Sequence, residues 1–146
     1  MLVTDGTVTR QLAALVDEPV RVHGSATGEI LAGAVWGPCL DVAADDVVTR
    51  RVADIMGELT GRQLVLAESW LVPRRLPPDF LDRLVDAAGG IGGVLAGYPV
   101  QVRRQLLWWG GWSPGPGREP IPSRTYRIFV GEAVGLLVTE KFLVTP

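Results

Sequence analysis

The chain ends in two strand-forming runs, and this pair constrains its fold more than any other feature. Ser123 to Gly131 (Ser-Arg-Thr-Tyr-Arg-Ile-Phe-Val-Gly) and Leu136 to Leu143 (Leu-Leu-Val-Thr-Glu-Lys-Phe-Leu) are rich in β-branched and aromatic residues, which suit a pleated, half-buried surface. A short glycine-bounded turn joins them, so they read as a β-hairpin. Side chains alternate faces along a strand. Leu136, Val138, Glu140 and Phe142 therefore share one face, and Leu137, Thr139, Lys141 and Leu143 the other. Glu140 sits with three large apolar residues. A carboxylate in that company is costly unless it has a cation, a shifted pKa or a ligand. Two readings stand: a structural ion pair with a neighbouring arginine, or a pocket wall.

Composition removes several function classes. A length of 146 residues predicts one domain, residues 1–146, with one sizeable core. The chain is 47% hydrophobic with a net charge of −2, which argues against disorder and leaves no electrostatic footprint for nucleic acid. Charges are interspersed without a basic run, so a membrane surface is not an expected partner. No apolar run reaches the roughly 18 residues that span a bilayer, and no secretory leader pattern opens the chain. The expectation is a cytoplasmic protein. Cys39 is the single cysteine and His23 the single histidine. Neither a zinc site nor a Ser-His-Asp triad is therefore expected.

Helical spacing of Val8, Leu12, Leu15 and Val16 predicts a helix from Thr7, with Thr7 or Thr9 as cap and Pro19 as stop. Val20–Val22 and Glu29–Val35 read as short strands separated by a Gly-Ser-Ala-Thr-Gly turn, and Gly37-Pro38 breaks the pattern. Asp45 to Ile55 favours a strand from Val47 onward. Gln63 to Val72 is the clearest central strand, with Glu68 a second acid on an apolar face. Pro78 to Ala88 reads as a helix carrying Phe80, Leu81, Leu84 and Val85 as its stripe. The dense Gly89-Gly90-Ile91-Gly92-Gly93 run reads as a turn. It lacks the lysine of a phosphate-binding P-loop, and close backbone approach to a strand or small ligand is its expected use. Val100 to Trp109 reads as a strand, and Gly110 to Pro122 as a loop. Without βαβ alternation the class is α+β: one antiparallel sheet of about six strands with helices packed on one face.

Several segments together resemble one family. Ser123–Gly131 with Leu136–Leu143 is similar to the C-terminal signature of the chorismate pyruvate-lyases, an Arg-rich strand leading into one that ends Thr-Glu-x-Phe-Leu. Asp5-Gly6-Thr7-Val8-Thr9-Arg10 resembles their N-terminal segment. Leu66-Ala67-Glu68-Ser69 with Arg75-Leu76-Pro77 resembles the Ala-Glu-Ser…Arg-Leu-Pro stretch of actinobacterial members. Ile91-Gly92 stands where the family has Leu-Gly, although Gly90 replaces its proline.

The resemblance implies a chorismate lyase-like fold and a cofactor-independent carbon–oxygen lyase. Such an enzyme eliminates pyruvate from chorismate to give 4-hydroxybenzoate, a biosynthetic role often found in secondary metabolism. It implies Glu140 and Arg51 as catalytic residues, with Arg50 competing for the second role because a one-residue shift reverses the face. Val8, Ile91 and Arg104 are implied as substrate-binding positions. The partner would be a small aromatic or carboxylic molecule, without nucleic acid or membrane. Two alternatives stand beside the lyase. The scaffold could serve another biosynthetic substrate, or it could be a non-catalytic module binding a small aromatic acid. The family's fold is similar to effector-binding domains of some bacterial transcription regulators.

Overall fold

A computed structural model describes residues 8–143, the side chains of Val8 and Thr9 excepted. The elements run α1 (Val8–Val16), β1 (Val20–Leu31), α2 (Gly33–Leu40), β2 (Val47–Gly57), β3 (Gln63–Leu71), a 3-10 turn (Pro73–Arg75), α3 (Phe80–Leu84), α4 (Gly90–Leu95), β4 (Val102–Trp112), β5 (Ile121–Val130) and β6 (Ala133–Phe142). The strands form one antiparallel sheet in the order β1-β2-β3-β6-β5-β4. The expected α+β class with six antiparallel strands is what the chain adopts.

The terminal hairpin forms as its composition demands. Val130 pairs with Ala133 across a two-residue turn, and Gly131 takes φ +64°, a conformation hairpin turns require and glycine tolerates. Beside the turn the register slips by one residue between Ile128 and Phe129. That bulge sets which side chains face each other farther along.

Alternation then sorts the side chains of the sheet. One face carries Leu71, Ile128, Leu136 and Val138 into a core closed by Phe80 and Leu84 of α3 and by Val94 and Leu95 of α4. The opposite face carries Trp70, Leu137 and Val48 against Leu40 of α2, and Trp36 stacks on Trp70 with ring centroids 4.5 Å apart. Leu12 of α1 joins Ile55, Leu64, Val65 and Phe142 at one end of the sheet. Helices thus pack on both faces: α3 and α4 on one, α2 on the other.

Four local expectations yield to tertiary contacts. Residues 24–28 are not a turn. They continue β1 as a bulged edge strand, with Ser25 Oγ donating to the Val52 carbonyl at 3.3 Å. Residues 33–40 are helical despite Val35 and the internal Pro38, because Leu40 is wholly buried and Trp36 has Trp70 to stack on. The helix expected over Pro78–Ala88 stops at Leu84, and the glycine run begins the separate α4. Strand β4 also runs on to Trp112, three residues into the expected loop.

Candidate functional site

A cavity of about 70 Å³ lies between the sheet and α4. Its floor is the face set by alternation: Arg51, Ala53 and Ile55 from β2, Ala67 and Ser69 from β3, Val138 and Glu140 from β6, Arg124, Tyr126 and Ile128 from β5, and Arg104 from β4. Gly89, Gly90, Ile91 and Gly92 form its roof. A second cavity of about 200 Å³ is also lined by Arg51, with Thr27, Thr49, Leu71, Asp82 and Leu84 in its wall.

The glycines have a steric purpose. Gly90 sits at φ +65°, and a Cβ there would stand 3.0 Å from Cγ2 of Val22, while Val22 N–H donates to the Ala88 carbonyl at 2.9 Å. Only a residue without a side chain lets the roof come down onto β1. Gly90→Ala is therefore expected to cost about 1–3 kcal/mol, read as a lower denaturant midpoint. An unchanged midpoint would show that the roof is not fitted to Val22. Gly24 serves Arg51 in the same way, since a Cβ at Gly24 would lie 3.3 Å from the guanidinium.

Charge in the cavity is unbalanced: three guanidiniums face one carboxylate. Arg124 Nε donates to Glu140 Oε1 at 2.7 Å, and both residues are buried. The Arg124 guanidinium also lies 4.9 Å from the Tyr126 ring centroid and 5.5 Å from that of Phe142. Burial first, then the charge and hydrogen bonding of Glu140, hold the Tyr126 phenol protonated well above its ordinary range. Glu140 thus has the arginine partner that its apolar setting demanded.

Arg51 does not have its counterpart. It is 6% exposed, and no ion pair or hydrogen bond of its side chain is seen among the described residues; no unpartnered nitrogen there is fully buried, so its guanidinium opens onto the cavity. Burial pushes its pKa down. Arg104 is half-buried and likewise has no acid partner among the described residues.

The structure brings Arg51, Arg104, Ile91 and Glu140 to one cavity, and separates Arg50 and Glu68 from it. Arg50 points to the opposite face, where its Nε donates to Glu68 Oε2 in a partly exposed pair. Arg50→Ala should cost under about 1 kcal/mol, as half-exposed pairs do, and leave events at Arg51 untouched. A loss of several kcal/mol in a chemical melt would refute that placement. Val8 opens α1, but its side chain lies outside the described residues, as do Asp5 to Thr7 entirely.

Arg124, Tyr126 and Ser69 were not among the sequence-derived site residues. A signal existed for Arg124: it stands in the hairpin strand that faces Glu140. Counting back from the turn without a bulge, however, sets it opposite Thr139, whereas the observed partner is Glu140. Among the described residues no group of three or more His, Cys, Asp or Glu side chains could hold a metal ion. No helix there is long and apolar enough to cross a membrane.

No protein-family model matches the chain, and no curated protein does. Solved structures match the fold. The effector domain of PhnF from Mycobacterium smegmatis superposes with a TM-score of 0.70 at 12% identity, covering 96% of this chain and 90% of that one. A putative regulator from Escherichia coli CFT073 gives 0.67 at 8%, with 86% and 96% covered. The C-terminal domain of the histidine utilization repressor from Pseudomonas syringae gives 0.64 at 11%, with 84% and 90% covered. The fold is the one these regulator domains share.

This corrects the expectation of an enzyme. Solved structures that share the fold include a ligand-binding domain of a putative GntR-family transcriptional regulator, the C-terminal domain of a repressor and an effector domain, and none of these three is described as a lyase. Locally, Glu140, implied as a catalytic residue, accepts a hydrogen bond from the buried Arg124 guanidinium.

Proposed function

We propose that this chain is a non-catalytic binding module for a small organic acid, whose anionic group sits against Arg51 and Arg104. The observation that carries the reading is the Arg51 guanidinium, set in the cavity wall on a residue only 6% exposed and without an acid partner among the described residues. A charge removed from water is costly unless paired, and an incoming anion completes the pair. The fold supports the reading, because solved domains that share it are described as ligand-binding or effector domains.

Size narrows the ligand. The inner cavity of about 70 Å³ is far below the ~300 Å³ of a typical drug-sized site, so it suits the acid group of a ligand rather than its whole body. The remainder of a ligand would take the second cavity of about 200 Å³ that Arg51 also lines, against Thr27, Thr49, Leu71 and Leu84 and away from Asp82. A compact aromatic or aliphatic monocarboxylate matches both volumes.

The test is a calorimetric titration with 4-hydroxybenzoate beside its neutral isostere, 4-hydroxybenzamide. Saturable heat from the acid and none from the amide is the expected result. Equal binding of both would mean that the guanidiniums do not select the ligand.

A further inference from the structure

The two edges of the sheet are built differently. Edge β1 carries Gly24, Ser25, Ala26, Thr27, Gly28 and Glu29, a polar, bulged run of the kind that discourages pairing. Edge β4 carries the opposite. Leu106, Leu107, Trp108, Trp109 and Trp112 are exposed by 37, 39, 47, 68 and 39%, on a strand whose outer side has no neighbouring strand among the described residues. Consecutive exposed residues point to both faces, so this end of the sheet is covered on neither. With ~250 Å² for a full tryptophan surface, the three indoles alone leave roughly 400 Å² in water. That is about half of what each partner contributes to a stable interface (~800 Å²).

We propose that β4 pairs antiparallel with β4 of a second copy of this chain, joining the two sheets across a two-fold axis near Leu107. Charge along the strand selects this occupant and this direction. Arg103, Arg104 and Gln105 occupy one end, and Gly110, Gly111 and Trp112 the other. Antiparallel self-pairing about Leu107 sets Arg103 and Arg104 of each copy opposite Gly111 and Gly110 of its partner, so the like charges stay apart. Parallel pairing would set arginine against arginine, which is destabilising. The bulge leaves Leu107 without a partner on β5. In the pair the two bulges meet at the axis, where a second copy covers both leucines. A two-fold contact of this kind is self-complementary and closes after two copies.

Sedimentation equilibrium across a concentration series tests this, together with Leu107→Lys and Trp109→Lys, singly and combined. Both side chains are exposed, so the variants are expected to keep the wild-type circular dichroism and melting profile. The wild type should sediment as a dimer, and Trp109→Lys should raise the dissociation constant at least about thirtyfold, the effect of losing a tryptophan anchor of ~2 kcal/mol. Amides of residues 106–109 should show exchange protection that grows with concentration. A wild type that remains monomeric at high concentration overturns the proposal. So does a dimer that persists in the combined variant, or one whose protected amides lie on β1.

Discussion

Arg51→Met should stabilise the ligand-free protein and abolish its response to small acids. Methionine nearly matches the aliphatic stem of arginine, so the packing beside Gly24 and Ala53 is largely kept while the unpaired charge disappears. Replacing buried charge by well-packed apolar groups gains about 1–4 kcal/mol in known cases. Here a gain of about 1–3 kcal/mol is expected, which for a chain of this length raises the melting temperature by about 3–10 °C. Affinity for a carboxylate ligand should fall at least about a hundredfold, because the partner of a desolvated anion is lost. Paired thermal melts with and without 4-hydroxybenzoate read both effects. A destabilised variant that still binds the acid would mean that Arg51 is a structural residue with a partner other than a ligand.

Glu140→Gln should act in the opposite sense. The carboxylate is the single counter-charge among three cavity guanidiniums, and its removal leaves Arg124 buried and unpaired. Breaking a buried pair from one side costs about 3–5 kcal/mol. Glutamine keeps the shape and one acceptor, so the cost is expected near the lower end. Binding should strengthen about tenfold, because Arg124 becomes available to the ligand and a competing negative charge is gone. The double variant Arg124→Met/Glu140→Met should recover much of the lost stability, since neither buried charge remains. Chemical melts and calorimetry on the three variants separate these outcomes. Weaker binding in Glu140→Gln, at intact fold, would show that Glu140 itself contacts the ligand through its charge.

Much of this architecture is legible in the chain, and the exceptions have physical causes. The hairpin, the strands β2 and β3 and the face of Glu140 follow from period-two alternation and β-branched content. Alternation along 47–57 also shows that Arg50 and Arg51 diverge, but not which of them faces the helices. That choice is made by α3 and α4, which cover the odd-numbered face of β2, and by Gly24, which leaves room for one guanidinium. Arg124 was hidden by a single bulged residue near the turn. Residues 24–28 carry turn chemistry and still form strand, because β2 offers them a ladder along its whole length. Residues 33–40 carry weak helix propensity and fold as helix, because the stack of Trp36 on Trp70 outweighs a local preference worth tenths of a kcal/mol per residue. The lyase reading failed for a different reason. Motif likeness tracks a scaffold, whereas activity depends on which charges in that scaffold remain unpaired.

In the proposed function, the acid group of a small ligand meets Arg51, which has no acid partner among the described residues. The most direct measurement is the NMR signal of the Arg51 Nε–H group, assigned with Arg51→Met, during titration with 4-hydroxybenzoate. The account predicts a saturable shift of that resonance, no response to 4-hydroxybenzamide, and a silent Arg50 on the opposite face of the sheet. An Arg51 resonance that stays fixed while the acid binds would contradict it.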